Sequence, residues 1–519
     1  MGRSGGARPD VAAAGTAVQR GHRLQARAGR RPDHPRRGPA EAARRVRRPR
    51  GRGRPAAGRR TAARLAGHAH QRRHHRRAPP RTPAAHRDDR PVTDLASLVR
   101  IPSVSADESA ADAMDRSAAA VAALFADTCL TEVEVVRADD GLPAVLGHRP
   151  APAGAPTVLL YAHHDVQPAG ERADWDTDPF EPVERDGRLF GRGAADDKAG
   201  IALHLAALRA LGDDPGVGVT VLIDGEEEIG SPTLAALLDR YGDRLAADVF
   251  VLADSTNWRI GVPALTTSLR GGVNVVVDVL TLEHAVHNGV YGGVVPDALT
   301  ALARLLATLH DENGDVAVDG LVRGPADPLD LTEEQLRTDA GLLYGVQLIG
   351  TGPLTARMWT RPAISVIGID APAVDGAAMT LVPRASAKLT LRVAPGDDAD
   401  AAAEALVEHL HENAPWGAVV VTDVGKSVQP VRVRTDGPAY AAARAALREA
   451  WGTAPVDTGV GGSIDFVRVL AQRFPDAEIL ITGVEDPDTR AHSANESLHL
   501  AEFERACLAE ALLLRSLAP

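Results

Sequence analysis

Histidine and carboxylate side chains follow a series of short apolar runs in this sequence. Packing alone does not explain why one apolar run after another should end in ionisable residues. Clustered carboxylates repel one another unless cations lie between them, and histidine with carboxylates is a normal ligand set for Zn²⁺ or a similar ion. The sequence therefore predicts a metal centre. Its candidate residues are His163 and Asp165 after the first run, Asp196 at the start of a helix, Glu227 and Glu228 after the second run, Asp254 after the third, and His492 within ten residues of the fourth.

The apolar runs and the segments between them predict an α/β domain. Strand-like runs rich in Val, Leu and Ile alternate with stretches of helical periodicity, which is the pattern of a mostly parallel sheet flanked by helices. In such a sheet the carboxyl ends of the strands form the rim where functional sites lie. The predicted strands are residues 157–162, 219–223, 249–253 and 479–484, and the predicted helices are residues 110–125, 198–211 (amphipathic) and 466–474.

The middle of the chain predicts a smaller α+β unit inserted into this domain. We expect the chain to leave the α/β domain near Leu269 and to return to it between residues 425 and 435. Within the unit, the predicted strands are residues 272–280, 387–393 and 418–423, and the predicted helices are residues 296–309 and 400–412. The expected domains are a first segment of the metal-binding α/β domain at 92–269, the inserted unit at 270–430 and a second segment of the α/β domain at 431–519.

The first 91 residues differ sharply from the rest of the chain. Residues 1–90 contain 26 arginines, no lysine and five acidic residues, whereas the remainder carries twice as many acidic as basic residues. Such an Arg-, Ala-, Pro- and Gly-rich segment has too little apolar surface to fold. Three interpretations stay open: a wrongly assigned start codon, a disordered arm that contacts nucleic acid or acidic surfaces, or a targeting peptide, although a secretory apolar core is missing.

Composition narrows the class of protein. The 519 residues are 44% hydrophobic, which allows a sizeable core. The two cysteines, Cys129 and Cys507, are far apart and lack metal-site spacing, so we expect no disulfide framework and a cytoplasmic location. No run of about 18 apolar residues occurs, so no membrane span is predicted. The acidic body argues against nucleic acid as a partner.

Seven motifs along the chain carry a resemblance to a known family. The motifs are AHHDVQP, GRGAADDKAG, GEEEIGSP, LADS, HNGVYGG, GGSI and AHSANES. Together they span about Thr93 to the C-terminus in the order and spacing of the family. The chain resembles the co-catalytic two-metal peptidases that include carnosinase, bacterial dipeptidases, glutamate carboxypeptidase and aminoacylase.

The resemblance implies two divalent metal ions in each subunit. Zn²⁺ is the expected ion, with Mn²⁺ or Co²⁺ as alternatives. His163 and Asp254 would bind one ion, and Glu228 and His492 would bind the other. Asp196 would bridge the two ions.

The resemblance also implies the residues that move protons. Glu227 would be the general base, which takes a proton from water between the ions and then gives it to the leaving amine. Asp165 would orient the imidazole of His163, and the Asp196–Asp197 peptide bond is expected to be cis. Without the other motifs, a run of glutamates such as Glu226–Glu228 is usually a solvated turn.

Substrate contacts are implied on the inserted unit and near the GGSI motif. His287 would reach the substrate carbonyl oxygen, often from the partner subunit, and stabilise the oxyanion. The resemblance therefore implies that the inserted unit, residues 270–430, is a lid or dimerisation domain through which a homodimer forms. Arg392 would bind the C-terminal carboxylate of the substrate, and Thr380 and Ser463 would make further substrate contacts. On residue type alone, an arginine on a strand is most often a surface charge.

Asp254 favours the dipeptidase branch of the family, because deacylases tend to have Glu at this position. Three other positions depart from the family pattern. Asn288 replaces a common Ser, Ala199 replaces a common Gly, and Asp465 follows the GGSI motif where Pro is usual. None of these changes removes a ligand or the base, but Asp465 leaves the exact specificity open.

The leading hypothesis is a metallopeptidase that hydrolyses the amide bond of a dipeptide. The nearest alternative is an N-acyl-amino-acid amidohydrolase with the same metal centre, which an assay of dipeptides beside N-acetyl or N-succinyl amino acids distinguishes. An alternative of another class is a nucleic-acid-binding protein that uses the basic N-terminal arm. It requires salt-sensitive binding that is lost when residues 1–91 are deleted.

Overall fold

A computed structural model of the chain describes residues 90–326, 329–462 and 465–519, and of Asp465 it describes the backbone alone. The predicted N-terminal segment, residues 1–91, lies outside the described residues except for its last two, which begin the first helix. Ser463 also lies outside them, so its predicted substrate contact stays a prediction. Within the described ranges, no helix combines the length and apolar character needed to cross a membrane.

The part of the chain before Arg270 supplies most of the main sheet and its helices. The helices are α1 (Arg90–Val99), α2 (Ala111–Ala126), α3 (Lys198–Leu211) and α4 (Leu234–Leu245). The strands are β1 (Glu132–Val136), β2 (Ala144–Arg149), β3 (Thr157–His163), β4 (Val183–Arg185), β5 (Arg188–Phe190), β6 (Gly218–Asp224), β7 (Val249–Leu252) and β8 (Ala264–Leu269).

The next part of the chain forms a second sheet and its own helices. The strands are β9 (Gly271–Leu280), β10 (Val286–His287), β11 (Ala363–Asp370), β12 (Thr380–Leu381), β13 (Arg384–Val393) and β14 (Val419–Val424). The helices are α5 (Asn288–Tyr291), α6 (Ala298–Ala307), α7 (Glu333–Asp339), α8 (Leu354–Trp359) and α9 (Ala399–Glu412).

The C-terminal part of the chain returns to the main sheet. Its strands are β15 (Val431–Arg432), β16 (Val456–Val460), β17 (Glu478–Ile481) and β18 (Ser497–His499). Its helices are α10 (Pro438–Trp451), α11 (Asp465–Arg473) and α12 (Leu500–Leu517).

The main sheet has nine strands in the order β1-β2-β6-β3-β7-β17-β8-β15, with β16 also paired to β8. The central strands β6, β3, β7 and β17 are parallel to one another. The pairs β1–β2, β2–β6 and β8–β15 are antiparallel. The predicted α/β fold with a mostly parallel sheet and flanking helices is therefore confirmed, and the antiparallel strands extend its edges.

Alternate residues of β3 face two different cores, as the two-residue period of a strand requires. Val158, Leu160 and Ala162 pack into one core with residues of α2, α3 and α12. Leu159 and Tyr161 pack into the other with residues of α4 and α11. Because both faces are covered, the strand is apolar along its whole length, which explains the continuous apolar runs in the sequence.

The second sheet shares no strand with the main sheet. Its order is β11-β13-β9-β14, and all of its pairs are antiparallel. The alternating Val273, Val275, Val277 and Val279 of β9 are buried in a core with residues of α6 and α9. This separation supports the proposed domain boundaries at residues 270 and 430. The boundary at 430 is also supported because β15, which begins at Val431, already pairs with β8 of the main sheet.

Several element bounds differ from their predictions by one to three residues, and two of the differences have a clear physical reason. The strand predicted over 479–484 ends at Ile481, because the following backbone passes so close to Ser255 that a Cβ on Gly483 would lie 1.6 Å from the Ser255 carbonyl oxygen. Glycine alone permits such an approach. Helix α3 has the predicted bounds but is not amphipathic: Lys198 and His204 are buried together with its apolar residues, because α1 and α12 pack against it as well as β3.

Candidate metal centre

The predicted ligands lie at the carboxyl edge of the main sheet. His163 is the last residue of β3, and Asp254 follows the end of β7 by two residues. Glu227 and Glu228 begin a single 3₁₀ turn shortly after β6, and Asp196 precedes α3 by two residues. Because β6, β3 and β7 are parallel neighbours, their carboxyl ends meet at one rim.

Two groups of side chains bring donor atoms close enough to hold a metal ion. The donor atoms of His163, Glu227 and Asp254 all lie within 4.8 Å of one another, and so do those of His163, Asp196 and Glu228. His163 belongs to both groups, so the two candidate positions are adjacent. The groups contain four of the predicted ligands together with Glu227, and proximity alone does not separate a ligand from a base.

His492 approaches the second group from the loop between β17 and β18. Its Nε2 lies 2.9 Å from Oδ2 of Asp196 and 3.4 Å from Oε2 of Glu228. On the other side of Asp196, His163 Nε2 lies 3.2 Å from Oδ1. Each carboxylate oxygen of Asp196 therefore faces a different imidazole, which is the arrangement that a carboxylate shared between two ions requires.

Asp165 connects the end of β3 to the turn that carries the glutamates. Nδ1 of His163 lies 3.0 Å from the backbone carbonyl oxygen of Asp165 and 3.4 Å from Oδ1 of its carboxylate, so the imidazole presents Nε2 to Asp196. The same carboxylate accepts hydrogen bonds from the backbone N–H groups of Glu227 at 3.3 Å and Glu228 at 3.1 Å. Asp165 is fully buried, and it is placed to orient both a ligand and the proposed base.

Gln167 is a polar contact that the sequence motifs did not single out. Its backbone N–H donates to Oε1 of Glu228 at 3.0 Å, and its side-chain Nε2 donates to Oε2 at 2.7 Å. Two donors from one residue therefore fix the orientation of the Glu228 carboxylate. The sequence signal for Gln167 is its place in the motif AHHDVQP, two residues after Asp165, but the motif does not indicate that its partner is Glu228.

Burial raises the pKa values of three carboxyl groups at the centre. The pKa of Asp254 is raised to about 6 and that of Glu228 to about 7, with Asp196 adding repulsion to the effect of burial in both cases. Burial, and then the charges of Asp254 and Glu228, raise the pKa of Glu227 well above its ordinary value. Each shift opposes ionisation, so an added positive charge is required to hold these groups together as anions.

The histidines have the opposite effect on Asp196. Burial favours a higher pKa for this carboxyl group, but hydrogen bonds with His163 and His492 outweigh it and lower the pKa. Burial likewise disfavours a charged His163, yet contacts with Asp165 and Asp196 raise its pKa well above the ordinary value. A protonated imidazole thus supplies part of the positive charge that the clustered carboxylates require.

The donor chemistry of the centre fits divalent metal ions. It combines two imidazole Nε2 atoms with several carboxylates, a set suited to Zn²⁺ and similar ions. Glu485, close in sequence to His492, is a further buried carboxyl group beside the centre. Burial, and then the charges of Asp196 and Asp254, raise its pKa well above the ordinary value. The Asp196–Asp197 peptide bond is cis, as the family resemblance implies.

His287 and Thr380 lie side by side on the inserted unit. They are directly opposite in the two-stranded ladder of β10 and β12, and both are exposed. Nδ1 of His287 accepts a hydrogen bond from the backbone N–H of Gly289 at 3.0 Å. In the described part of the chain, no hydrogen bond connects either residue to the metal centre. The single subunit brings the two residues together, and their roles stay a prediction.

Arg392 lies half-buried on β13 between β9 and β11. A second arginine, Arg270, which sequence reasoning missed, lies at the junction of the two sheets. Its Nε and Nη1 donate to the carbonyl oxygens of Gly461 at 3.2 Å and Arg361 at 3.3 Å. Burial, and then the charge of Arg392, lower the pKa of Arg270 to about 10. Two guanidinium groups that repel each other favour an anion nearby.

Comparison with known proteins gives consistent similarities. The model of peptidase family M20/M25/M40 matches residues 159–516. A cysteinylglycine-S-conjugate dipeptidase from Corynebacterium striatum is 38% identical over 384 residues, which cover 72% of this chain and 84% of that relative. A beta-Ala-His dipeptidase from Homo sapiens is 28% identical over 380 residues, which cover 69% of this chain and 74% of that relative.

The fold is similar to a solved structure as well. The crystal structure of human carnosine dipeptidase 1 aligns with a TM-score of 0.70 and 26% sequence identity, over 83% of this chain and 96% of that chain. The aligned region includes both the main sheet and the inserted unit, since it covers most of the described residues.

Proposed function

Because the chain belongs to peptidase family M20/M25/M40, we propose that it is a metal-dependent dipeptidase. The observation that carries the proposal is the convergence of histidine and carboxylate donors at the carboxyl edge of the main sheet, around Asp196. Dipeptides are the substrates named for the similar proteins. The deacylase and the nucleic-acid-binding alternatives are not favoured.

The proposed ligands divide between two ions, with Zn²⁺ as the expected metal. His163 and Asp254 would hold one ion, Glu228 and His492 the other, and Asp196 both. When bound, divalent ions lower the pKa of water and polarise the carbonyl of the scissile bond. The contacts of His492 with Asp196 and Glu228 support the second set. The donor atoms of His163 and Asp254 lie within 4.8 Å of each other, which supports the first set.

Glu227 is the proposed general base and acid. Its carboxylate accepts a proton from the attacking water as the new C–O bond forms, and it gives that proton to the amide nitrogen as the C–N bond breaks. Asp165 is proposed to fix the position of the base relative to His163, since its carboxylate contacts both the backbone N–H of Glu227 and the imidazole of His163. The adjacent Glu228 is tied instead to Gln167, which supports separate roles for the two glutamates.

Substrate recognition is proposed to use both charged ends of a dipeptide. The free amine would lie near Asp254, and the carboxylate would bind Arg392, with contacts from Thr380 and Ser463. Burial, and then the nearby charge of Arg392, lower the pKa of Arg270, which supports an anion site at this junction.

A homodimer through the lid domain is proposed to complete the site. His287 is exposed and not bonded to the metal centre of its own subunit, which supports a role towards the centre of a partner. Strand β11 is an edge strand whose apolar residues Val366, Ile367 and Ile369 are all exposed. An edge of this kind is a template for pairing with another chain. The cytoplasmic location expected from cysteine usage stays a prediction.

A substrate panel on metal-reconstituted protein tests the proposed function. The panel contains a cysteinylglycine S-conjugate, beta-alanylhistidine and other dipeptides, and the N-acetyl and C-terminal amide forms of each dipeptide serve as matched controls. We expect release of free amino acids from the unblocked dipeptides, loss of activity with a chelator, and recovery with Zn²⁺, Mn²⁺ or Co²⁺. Preferential hydrolysis of N-acetyl amino acids would instead identify a deacylase.

A further inference from the structure

Glu496 is a fully buried carboxylate that faces the loop before α3. Its Oε1 accepts hydrogen bonds from the backbone N–H groups of Ala195 at 3.0 Å and Asp196 at 3.2 Å. Its Oε2 accepts from the backbone N–H of Gly193 at 3.0 Å and from Nη1 of Arg192 at 2.5 Å. Both oxygens are therefore occupied by donors from one short segment of chain that ends at a proposed metal ligand.

The backbone of Glu496 joins the same segment. Its carbonyl oxygen accepts a hydrogen bond from the N–H of Gly191 at 3.0 Å. Arg192 extends the connection, since its Nη2 donates to the carbonyl oxygen of Pro168 at 3.4 Å, in the segment that follows β3 and Gln167. Glu496 and Arg192 thus connect three separate parts of the chain at the rim of the sheet.

Each of the three connected parts carries either a proposed metal ligand or a residue that hydrogen-bonds to one. Asp196 lies on the loop that Glu496 binds, and His492 lies four residues before Glu496 on the same loop. The segment after β3 carries Gln167, which holds Glu228. Glu496 therefore joins the loop of Asp196 to the loop of His492, next to the ladder in which Ser497 of β18 pairs with Phe190 of β5.

We propose that Glu496 is the positioning residue that sets Asp196 against His492 for metal binding. The inference rests on the proposed function, because it assumes that these side chains hold metal ions. Glu496 itself contacts neither metal ligand side chain in the described structure; it acts through the backbone of Asp196 and through its own loop. Partners that orient metal ligands commonly change metal affinity by 10- to 100-fold when they are mutated.

Substitution Glu496→Gln is the main test, because it removes one acceptor oxygen and leaves the shape of the side chain. The amide NH₂ must then face either the N–H groups of Ala195 and Asp196 or the donors of Gly193 and Arg192, and those donors lose their acceptor. We expect metal affinity, measured by competition with a chromogenic chelator, to fall by roughly 10- to 100-fold. The larger loss is expected for the ion held by Glu228 and His492.

Glu510→Gln is the matched control. Glu510 is also a buried glutamate, and its carboxylate lies 2.8 Å from Nδ1 of His204, between α12 and α3. Among the described residues, it makes no hydrogen bond to the loops that carry Asp196 and His492. We expect it to lower the free energy of unfolding of the metal-free protein while metal affinity stays at the wild-type value. This comparison separates a positioning role for Glu496 from a general loss of stability.

Glu496→Asp serves if Glu496→Gln does not fold. It keeps the charge and both acceptor oxygens but is shorter by one methylene, so it cannot reach all of its donors together, and a smaller loss of metal affinity is expected. Wild-type affinity in a folded Glu496 variant would overturn the positioning role alone. If the wild-type protein binds no divalent ions and cleaves no dipeptide, the proposed function and this inference both fail.

Discussion

At the scale of single residues, three consecutive glutamates have three different environments. Glu226 accepts hydrogen bonds from the backbone N–H groups of Leu142 and Thr233 and is a structural contact. Glu228 is held by Gln167. Glu227 lies between these two and within 4.8 Å of donor atoms of His163 and Asp254, without a side-chain hydrogen bond in the described part of the chain. This freedom suits a residue that must accept and release a proton.

Substitution Glu227→Gln should abolish proton transfer and leave the ligands in place. We expect kcat to fall by about 10²- to 10⁴-fold, the range for loss of a general base, while metal content stays at the wild-type level by atomic absorption. Glu226→Gln is the control on the neighbouring residue and should retain kcat, since its side chain binds backbone groups of another loop. Wild-type kcat in the Glu227 variant would exclude it as the base.

Arg392 provides the second prediction at this scale. Substitution Arg392→Met removes a guanidinium without a large change in length, and we expect kcat/KM for dipeptides to fall by roughly 10- to 100-fold, because a hydrogen bond to a charged group contributes about 1.5–3 kcal/mol. Dipeptides with a C-terminal amide lack the carboxylate that Arg392 is proposed to bind, so they should be equally poor substrates for the wild-type protein and the Arg392 variant.

Arg384→Met is the control for this prediction. Arg384 lies on the same strand, where it pairs with Asp278 on the exposed face. Steady-state kinetics should show wild-type kcat/KM for this variant. An equal loss in the two variants would mean that the effect comes from the strand and not from the carboxylate of the substrate.

At the scale of elements, α3 and α12 are joined by a buried polar pair. His204 on α3 lies 2.8 Å from the carboxylate of Glu510 on α12, and its Nε2 lies 3.0 Å from the carbonyl oxygen of Tyr161. Burial disfavours the charged imidazole, but Glu510 outweighs burial and raises the pKa of His204 above its ordinary value of 6.5. His204 is thus a packing contact between helices, and the structure explains a buried histidine that does not serve the metal centre.

The raised pKa of His204 predicts a pH-dependent contribution to stability. The pair stabilises the fold fully below pH 6.5, and this contribution is lost as pH rises through the higher folded-state pKa. In urea unfolding of the metal-free protein, Glu510→Gln should cost about 1.5–3 kcal/mol at pH 6 and less at pH 9. A cost that is equal at the two pH values, or larger at pH 9, would contradict the proposed charge on His204.

At the scale of the whole molecule, the exposed edge of the lid sheet bears on assembly. The two edge strands differ: on β11 Val366, Ile367 and Ile369 are exposed close together on both faces of the strand. On β14 the exposed Val419 and Val421 alternate with the buried Val420, and the exposed Val424 lies three residues further on. We therefore expect the homodimer to form through β11.

Substitution Ile369→Lys on β11 tests this assembly. We expect a monomer by sedimentation velocity, because a lysine on an edge strand opposes strand pairing. We also expect reduced kcat, since His287 is proposed to act on the partner subunit. Val421→Lys on the opposite edge of the same sheet is the control and should remain a dimer. A dimer with full activity in the Ile369 variant would exclude β11 as the interface.

The amino-acid sequence by itself determined the α/β class, the candidate ligand residues and the approximate bounds of the twelve helices and strands that it predicted. Apolar runs of strand length and helical periods are local properties, so α3 and β3 could be located within a few residues. His163, Glu228 and Asp254 were identifiable because each follows such a run at a strand end.

The tertiary structure alone decided which distant segments support one another. Gln167, Arg270 and Glu496 act on groups that lie many residues away. Gln167 and Glu496 stand in the motifs AHHDVQP and AHSANES, but the motifs do not indicate which distant groups these side chains contact. The burial of most of α3, including Lys198 and His204, depends in the same way on α12, which follows it by almost 300 residues. Local periodicity records what one segment buries, whereas hydrogen bonds and packing between segments exist only after the chain has folded.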